Sequence, residues 1–307
     1  MSVLDRALVR TLPLLPRGAV RTFASPYIAG ETVDDACRVI KALAAAGKTA
    51  TVDVLGEEVA TAEEARELTD AYVDVFDAAR GRSLGTHVSV KPTGLGLNLG
   101  PELCRENVER LVRIAEQDGS FVRIDMEDAT TTDATLDVYR ALRARGRDRV
   151  GIVLQARLRR TPDDIAALAD LEPNVRLCKG IYLEPAEIAH TGFHEIRAAF
   201  VRCAELLLEA RAYVAFATHD DFLVDEAKRL VLRHRLGRDE YEFQMLLGVR
   251  EHAADALVRD GHRVRIYVPF GRRWYEYSLR RLQENPRIAA YVAADTVKRA
   301  AGMGAQR

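Results

Sequence analysis

Long hydrophobic runs are missing from this 307-residue sequence. No apolar stretch approaches the roughly 20 residues that a membrane-spanning helix requires, so stable membrane insertion is not expected. Charge of one sign is missing too. With 45 Lys and Arg against 46 Asp and Glu, the formal net charge is −1, which argues against nucleic acid as a partner. Cysteines number only 4 (Cys37, Cys104, Cys178, Cys203) and no two share C-x-x-C spacing. That excludes zinc-ribbon and dithiol redox motifs and predicts small buried apolar residues in a reducing, cytoplasmic compartment. Gly94, Gly96 and Gly100 lack the spacing and context of a dinucleotide fingerprint, and no G-x-S-x-G elbow is present. His190 and His194 are four apart but have no obvious third ligand or partnering Glu, so a zinc hydrolase fits poorly and no metal is expected. No linker or low-complexity segment divides the chain.

What is present is alternation. Short β-branched or apolar runs fall at Thr49 to Leu55, His87 to Val90, Phe121 to Met126, Val150 to Gln155, Val175 to Ile181, Tyr213 to Thr218, Tyr241 to Leu246 and Val264 to Val268. Stretches of helical periodicity separate them, with start signals at Thr61/Glu64 and at Thr161 before Pro162, and stop signals at Gly119, Gly146, Gly237 and Gly261. Eight strand–helix repeats predict either a doubly wound sheet or a (β/α)8 TIM-type barrel. Polar residues at nearly every strand's C-terminal end, rather than at one switch point, favour the barrel. The expected organisation is a helical arm over residues 1–47 and a catalytic barrel over 48–307. In the arm, Leu4, Leu8 and Leu12 read as a short packing helix ended by Pro13, although the interleaved arginines also fit a surface-lying amphipathic helix. A second helix runs from Thr32 and Asp35 to Gly47.

The strand ends carry the chemistry. Lys91 follows the second, Asp125 and Glu127 go with the third, and Gln155 with the fourth. Arg176, Lys179 and Tyr182 belong to the fifth, Thr218 and His219 to the sixth, Gln244 to the seventh and Tyr267 to the eighth. In a barrel these ends converge on one rim, where charged groups are tolerated if paired or ligand-bound. Beyond the last strand, Tyr277, Arg280 and Arg281 are three and four positions apart, on one side of a helix. If that helix lies over the C-terminal rim, its two guanidinium forks suit a carboxylate. A solvated basic face beside Glu276 and Glu284 would show the same spacing.

The segments VSVKPTG from Val88, FVRIDMED from Phe121, VLQA from Val153, VRLCKGIY from Val175, ATHD from Ala217, EFQMLLG from Glu242, RIYVPFG from Arg265 and YSLRRLQEN from Tyr277 resemble, in order, the flavin-dependent proline dehydrogenases. The likeness runs from about Thr49 to Asn285 and is to the monofunctional bacterial form. It implies a distorted (β/α)8 barrel holding FAD at its C-terminal rim. The implied reaction oxidises L-proline to Δ1-pyrroline-5-carboxylate, the first step of proline degradation to glutamate, with electrons passed to a membrane quinone during transient contact with the inner face of the membrane.

Carried over by position, the resemblance implies that Arg280 and Arg281 bind the proline carboxylate with Lys91 as a third cation. Asp125 would line the pocket and hold the cationic cluster, and Arg176 would stand beside flavin N5. Tyr182, Leu246, Tyr267 and Tyr277 would enclose the ring. Met126, Gln155, Lys179, Gly180, Ile181, Thr218 and His219 would be further flavin contacts. Tyrosine at position 267 goes with proline, where serine goes with hydroxyproline. Arg157 and Leu183 depart from the pattern, in which an aromatic residue is more usual. Glu57 or Glu58, at the end of the first strand, is expected to pair with Arg280 or Arg281 when the pocket is empty and so to gate it.

Physically, the protein's task in such a reaction is orientation and electrostatics. The substrate amine must lose a proton before hydride leaves, so the rate is expected to rise with pH, with no residue identified as the base. Two other classes remain compatible with the residues alone. A Schiff-base aldolase would use Lys91 or Lys179 as nucleophile and be trapped by borohydride. A non-catalytic proline sensor would bind proline without bleaching any flavin.

Overall fold

The structure is a computed structural model in which residue 21, residues 25–275 and residues 277–278 are described. The expected helix over Leu4 to Leu12, and Arg280 and Arg281, lie outside the described residues.

Eight parallel strands close on themselves: β1 (Thr49–Val54), β2 (His87–Val90), β3 (Phe121–Ile124), β4 (Val150–Gln155), β5 (Asn174–Cys178), β6 (Tyr213–Ala217), β7 (Tyr241–Leu246) and β8 (Val264–Phe270). β1 pairs with β2 on one side and β8 on the other, which completes a (β/α)8 barrel. Helix α1 (Val33–Ala45) precedes the barrel and packs on β1 and β8. Between successive strands run α2 (Ala62–Gly81), α3 (Pro101–Asp118), α4 (Thr132–Ala144), α5 (Thr161–Leu168), α6 (Phe193–Glu209), α7 (Asp221–His234) and α8 (Glu251–Arg259).

Local chemistry explains several boundaries. The Thr32 hydroxyl accepts from Asp35 N at 3.2 Å while the Asp35 carboxylate accepts from Thr32 N at 3.1 Å, a reciprocal cap on α1. Thr61 and Glu64 start α2 in the same way, the carboxylate reaching back to Ala60 N at 2.8 Å. Thr161 differs from its expected role: it is the first residue of α5, and its hydroxyl donates to Gln155 O at 2.6 Å. That bond ties the helix start to the end of β4. Gly237 does not stop α7, which ends on Arg235 in the left-handed conformation (φ 55°).

Strand alternation sorts the side chains into two layers. One parity, including Val52, Val88, Ile124, Ile152, Leu177, Phe216, Phe243 and Val268, is buried against the helices through residues such as Leu111, Leu142 and Phe200. The other parity faces the lumen and is strongly polar: Thr51, Asp53, Ser89, Arg123, Arg176, Glu242, Gln244 and Arg265 are all buried. Arg123 fits there because its register partner on β4 is Gly151, where a Cβ would come within 2.4 Å of the guanidinium. That guanidinium donates to Ile152 O at 2.9 Å and Asn174 O at 2.6 Å.

Five strand C-terminal ends differ from expectation, those of β1 and β6 by one residue each, at Val54 and Ala217. β3 stops at Ile124 and β5 at Cys178, so Asp125, Met126, Lys179, Gly180, Ile181 and Tyr182 lie on the loops beyond them. Gly180 (φ 96°) turns the chain away from the sheet. β8 runs on to Phe270 despite Pro269, which needs no ladder donor because the strand's pairing with β7 ends at Tyr267; beyond that point the Pro269 carbonyl accepts from Ala29 N at 2.9 Å.

Candidate active site

At the C-terminal ends of the strands lies a cavity of about 890 Å³. Its wall includes every described residue that sequence reasoning assigned to the site: Lys91, Asp125, Met126, Gln155, Arg176, Lys179, Gly180, Ile181, Tyr182, Thr218, His219, Leu246, Tyr267 and Tyr277. Glu57 lines the cavity as well, and Glu58 is close by, its N–H donating to Thr93 Oγ1 at 3.1 Å. The arginines that either glutamate was expected to gate are outside the described residues.

The floor is a connected set of charges. Asp125 accepts from Arg176 Nη1 at 2.6 Å, from Ser89 Oγ at 2.7 Å and from the Tyr267 hydroxyl at 3.1 Å. Arg176 also stacks over the Tyr267 ring, 5.3 Å from its centroid. Lys91 Nζ donates to Asp53 Oδ2 at 2.8 Å and lies 3.5 Å from the Tyr267 hydroxyl. Burial opposes the charge on Lys91, but Asp53, Asp125 and Glu127 together raise its pKa above the ordinary value. Burial first, and then Asp125 and Asp53, push the Tyr267 phenol well above its usual range, so it stays a donor. Glu127 points the other way, accepting from Thr93 N at 2.8 Å and Thr93 Oγ1 at 2.7 Å, while Gln155 Nε2 donates to Glu127 O at 2.7 Å.

Around the mouth, Lys179 and Arg197 converge on Asp220, at 2.7 and 2.6 Å. Arg197 is stacked between Phe193 and Phe222, 4.2 and 4.9 Å from the ring centroids. His219 accepts from Leu246 N through Nε2 at 2.9 Å, which links the loop after β6 to the end of β7.

The described lining carries cations and carboxylates in equal number, with Lys91, Arg176, Lys179 and Arg197 each bonded to an aspartate. Comparison with known proteins supplies the family. The sequence profile of the family described as "Proline dehydrogenase" matches residues 36–294. The chain belongs to the proline dehydrogenase family. It is an oxidoreductase acting on proline.

Among curated proline dehydrogenases, that of Deinococcus radiodurans is 37% identical over 288 residues, covering 92% of this chain and 93% of the relative. Proline dehydrogenase 1 of Bacillus subtilis is 36% identical over 279 residues, covering 91% and 92%. A crystal structure of proline utilization A (PutA) from Bdellovibrio bacteriovorus, inactivated by N-propargylglycine, superposes with a TM-score of 0.82 at 26% identity. The match covers 91% of this proline dehydrogenase and 36% of that longer chain.

The geometry disfavours the aldolase alternative. Lys91 is held charged by Asp53, so it is not set up as the neutral amine that a Schiff base needs, and the Lys179 ammonium position is taken up by its bond to Asp220. Among the described residues no group of three or more His, Cys, Asp or Glu could hold a metal ion. No described helix is long and apolar enough to cross a membrane. The two departures from the family pattern sit at the edge of the site: Arg157 donates to Tyr182 O, and Leu183 is 94% exposed.

Sequence reasoning missed Asp53, Ser89, Arg197 and Asp220. A parity argument could have found Ser89, since Lys91 and Ser89 are two apart and share a face. Asp53 was visible as the lone charge in TATVDV. Asp220 also makes a pH prediction. Burial raises its carboxyl pKa, but Arg197 and Lys179 prevail and bring it from 3.8 to about 2. A folded-state pKa that is depressed contributes stability above the unfolded value, which disappears as pH falls through the folded one. The melting-temperature gap between the parent and Asp220→Asn is therefore expected to narrow as pH falls from 3.8 to about 2. A constant gap across that range would contradict it.

Proposed function

We propose that this proline dehydrogenase uses FAD to oxidise L-proline to Δ1-pyrroline-5-carboxylate, the first step of proline degradation to glutamate, and passes the electrons to a membrane quinone. The observation that carries the flavin assignment is one atom. Arg176 Nη2 is buried and has no hydrogen-bond partner among the described residues, although the rest of the guanidinium is fully used. A buried donor left unmatched costs about 1–3 kcal/mol, so an acceptor supplied by a ligand is favoured there. Gly180 lies against the same wall, where a Cβ would come 2.8 Å from Gln155 Oε1 and where φ is 96°, a conformation that favours glycine. Met126, Gln155, Lys179, Gly180, Ile181, Thr218 and His219 would hold the cofactor with Arg176. When bound, the flavin supplies the acceptor for the hydride that leaves the ring carbon next to the proline nitrogen.

The chain's own residues bind and orient. Lys91, with Arg280 and Arg281, holds the substrate carboxylate. Tyr182, Leu246, Tyr267 and Tyr277 enclose the ring and exclude water. Asp125 fixes Arg176 and the Tyr267 hydroxyl against each other, so the cation and the ring wall keep one arrangement through the reaction. Exposed Ile181, Leu183 and Phe193 beside the mouth offer apolar surface to a quinone. In this reading the protein works in the cytoplasm and touches the inner face of the membrane transiently.

The test is anaerobic mixing with L-proline while recording the visible flavin band, which is expected to bleach. A purified protein that carries no flavin, or one that binds proline without bleaching, would overturn the proposal. Arg281→Met is expected to raise KM for proline at least about tenfold, with flavin retained, since a charge-assisted carboxylate bond contributes about 1.5–3 kcal/mol. An unchanged KM would remove Arg281 from carboxylate binding.

A further inference from the structure

From Gln244 on the cavity wall down into the barrel runs a line of buried polar side chains that the reaction as described does not use. Glu242 and Gln244 are two apart on β7, so both face the lumen, and they are 2% and 4% exposed. Arg265 on β8 donates Nε to both Glu242 oxygens, at 2.9 and 3.1 Å, and Nη1 to Ala50 O at 2.8 Å. A guanidinium only donates, so Glu242 is held as a pure acceptor. Burial works to raise the Glu242 carboxyl pKa, and Arg265 outweighs it, bringing the pKa down to about 2.

Polarity then propagates. Gln244 Nε2 donates to Glu242 Oε1, which turns the Gln244 carbonyl oxygen the other way, where it accepts from Arg176 Nε. The flipped amide would set two donors against each other at Arg176. With Nε on Gln244, and Nη1 on Asp125 and Ser89, the planar fork has one orientation left, and Nη2 is the nitrogen it leaves over.

We propose that Glu242, braced by Arg265, is a positioning residue: it fixes the amide orientation of Gln244 and through it the guanidinium of Arg176. The inference rests on the flavin-side role of Arg176 proposed above. Glu242 and Arg265 are thus more than a neutral plug for the barrel floor, and interchanging the two side chains on β7 separates the two roles. In Glu242→Gln, the new amide accepts from Arg265 and offers its NH2 to Gln244, which then turns its own NH2 toward Arg176. In Gln244→Glu, two carboxylates meet. In the double variant E242Q/Q244E, the amide at 242 donates to the carboxylate at 244, which accepts from Arg176, so the original polarity returns with the same net charge.

The experiment measures kcat and KM for L-proline and the midpoint potential of the bound flavin. Each single variant is expected to lower kcat by about tenfold to a hundredfold, leave KM within about threefold, and make the potential more negative. The double variant is expected to recover at least about threefold of the kcat lost in the worse single variant, while the potential stays more negative than the parent's because a second carboxylate now faces Arg176. Should Glu242→Gln fail to fold, Gln244→Met leaves the Glu242–Arg265 pair in place and carries the same expectation. Folded single variants with parental kcat and potential would overturn the proposal, as would a double variant no better than the worse single. Arg176→Lys, measured alongside, tells the two failures apart. If it moves kcat and potential while the β7 variants do not, only the relay falls. If it moves neither, the role of Arg176 falls and takes the relay with it.

Discussion

Arg176→Met is expected to lower kcat for L-proline by about 10²- to 10³-fold, the size of effect seen when one preorganised donor is removed from developing negative charge. The structure says why the loss should fall on the chemical step. Arg176 is buried and fixed on two sides, so its charge is in place before the reaction begins and needs no rearrangement during it. Its hydrogen bonds go to Gln244, Ser89 and Asp125, and it is not one of the residues assigned to the substrate carboxylate, so KM is expected to change by less than about fivefold. Asp125 keeps Ser89 and Tyr267 as donors when Arg176 is truncated, which limits collapse of the floor. Single-turnover reduction of the flavin under anaerobic conditions is the measurement that isolates the step. A reduction rate within about fivefold of the parent would take Arg176 out of the reaction.

The second large effect is on stability. Asp53 is fully buried, and its charged partner is Lys91, 2.8 Å away. Removing one member of a buried pair typically costs about 3–5 kcal/mol, because the remaining charge is stranded. Lys91→Met is therefore expected to lower the melting temperature by roughly 10 °C. Asp53→Asn in the same chain is expected to recover most of that loss, since an amide carbonyl still accepts from the Tyr72 hydroxyl, now 3.2 Å from Asp53 Oδ1. The proline KM behaves differently. Both the single and the double variant lack the Lys91 cation, so KM is expected to stay elevated in both. A double variant that melts no higher than Lys91→Met would show that the pair is not what Lys91 contributes to the fold. A KM that recovers along with stability would mean that the cation does not touch substrate.

Much of this was legible in the sequence, for identifiable reasons. The barrel follows from eight alternations whose strands carry their polar residues at one end, and caps such as Thr32/Asp35 and Thr61/Glu64 fix the helix starts through contacts three residues apart. Local contacts of that kind are written in order along the chain. The rim residues were legible because each stands at a strand end, and the resemblance to a family gave them roles that spacing alone could not. What stayed hidden depends on closure. Lys91 and Asp53 are 38 positions apart, and Arg176 and Gln244 are 68 apart. Their pairing exists only once the strands are curled into register. Gly151 shows the same limit: nothing in the run VGIVLQ signals that its bare Cα makes room for an arginine from the neighbouring strand. The ends of β3 and β5 were overrun because apolar Met126 and Ile181 follow Asp125 and Lys179–Gly180, so the apolar pattern resumes past the point where the backbone turns.

The polar lumen has a calorimetric consequence. Apolar surface raises the heat capacity of an unfolded chain and polar surface lowers it. A barrel whose inner layer is Thr51, Asp53, Ser89, Arg123, Arg176, Glu242, Gln244 and Arg265 releases hydrogen-bonding groups where an aliphatic layer would release hydrocarbon. Its heat-capacity increment on melting therefore sits below that of a barrel filled with branched side chains, and its stability changes more gently with temperature on both sides of the maximum.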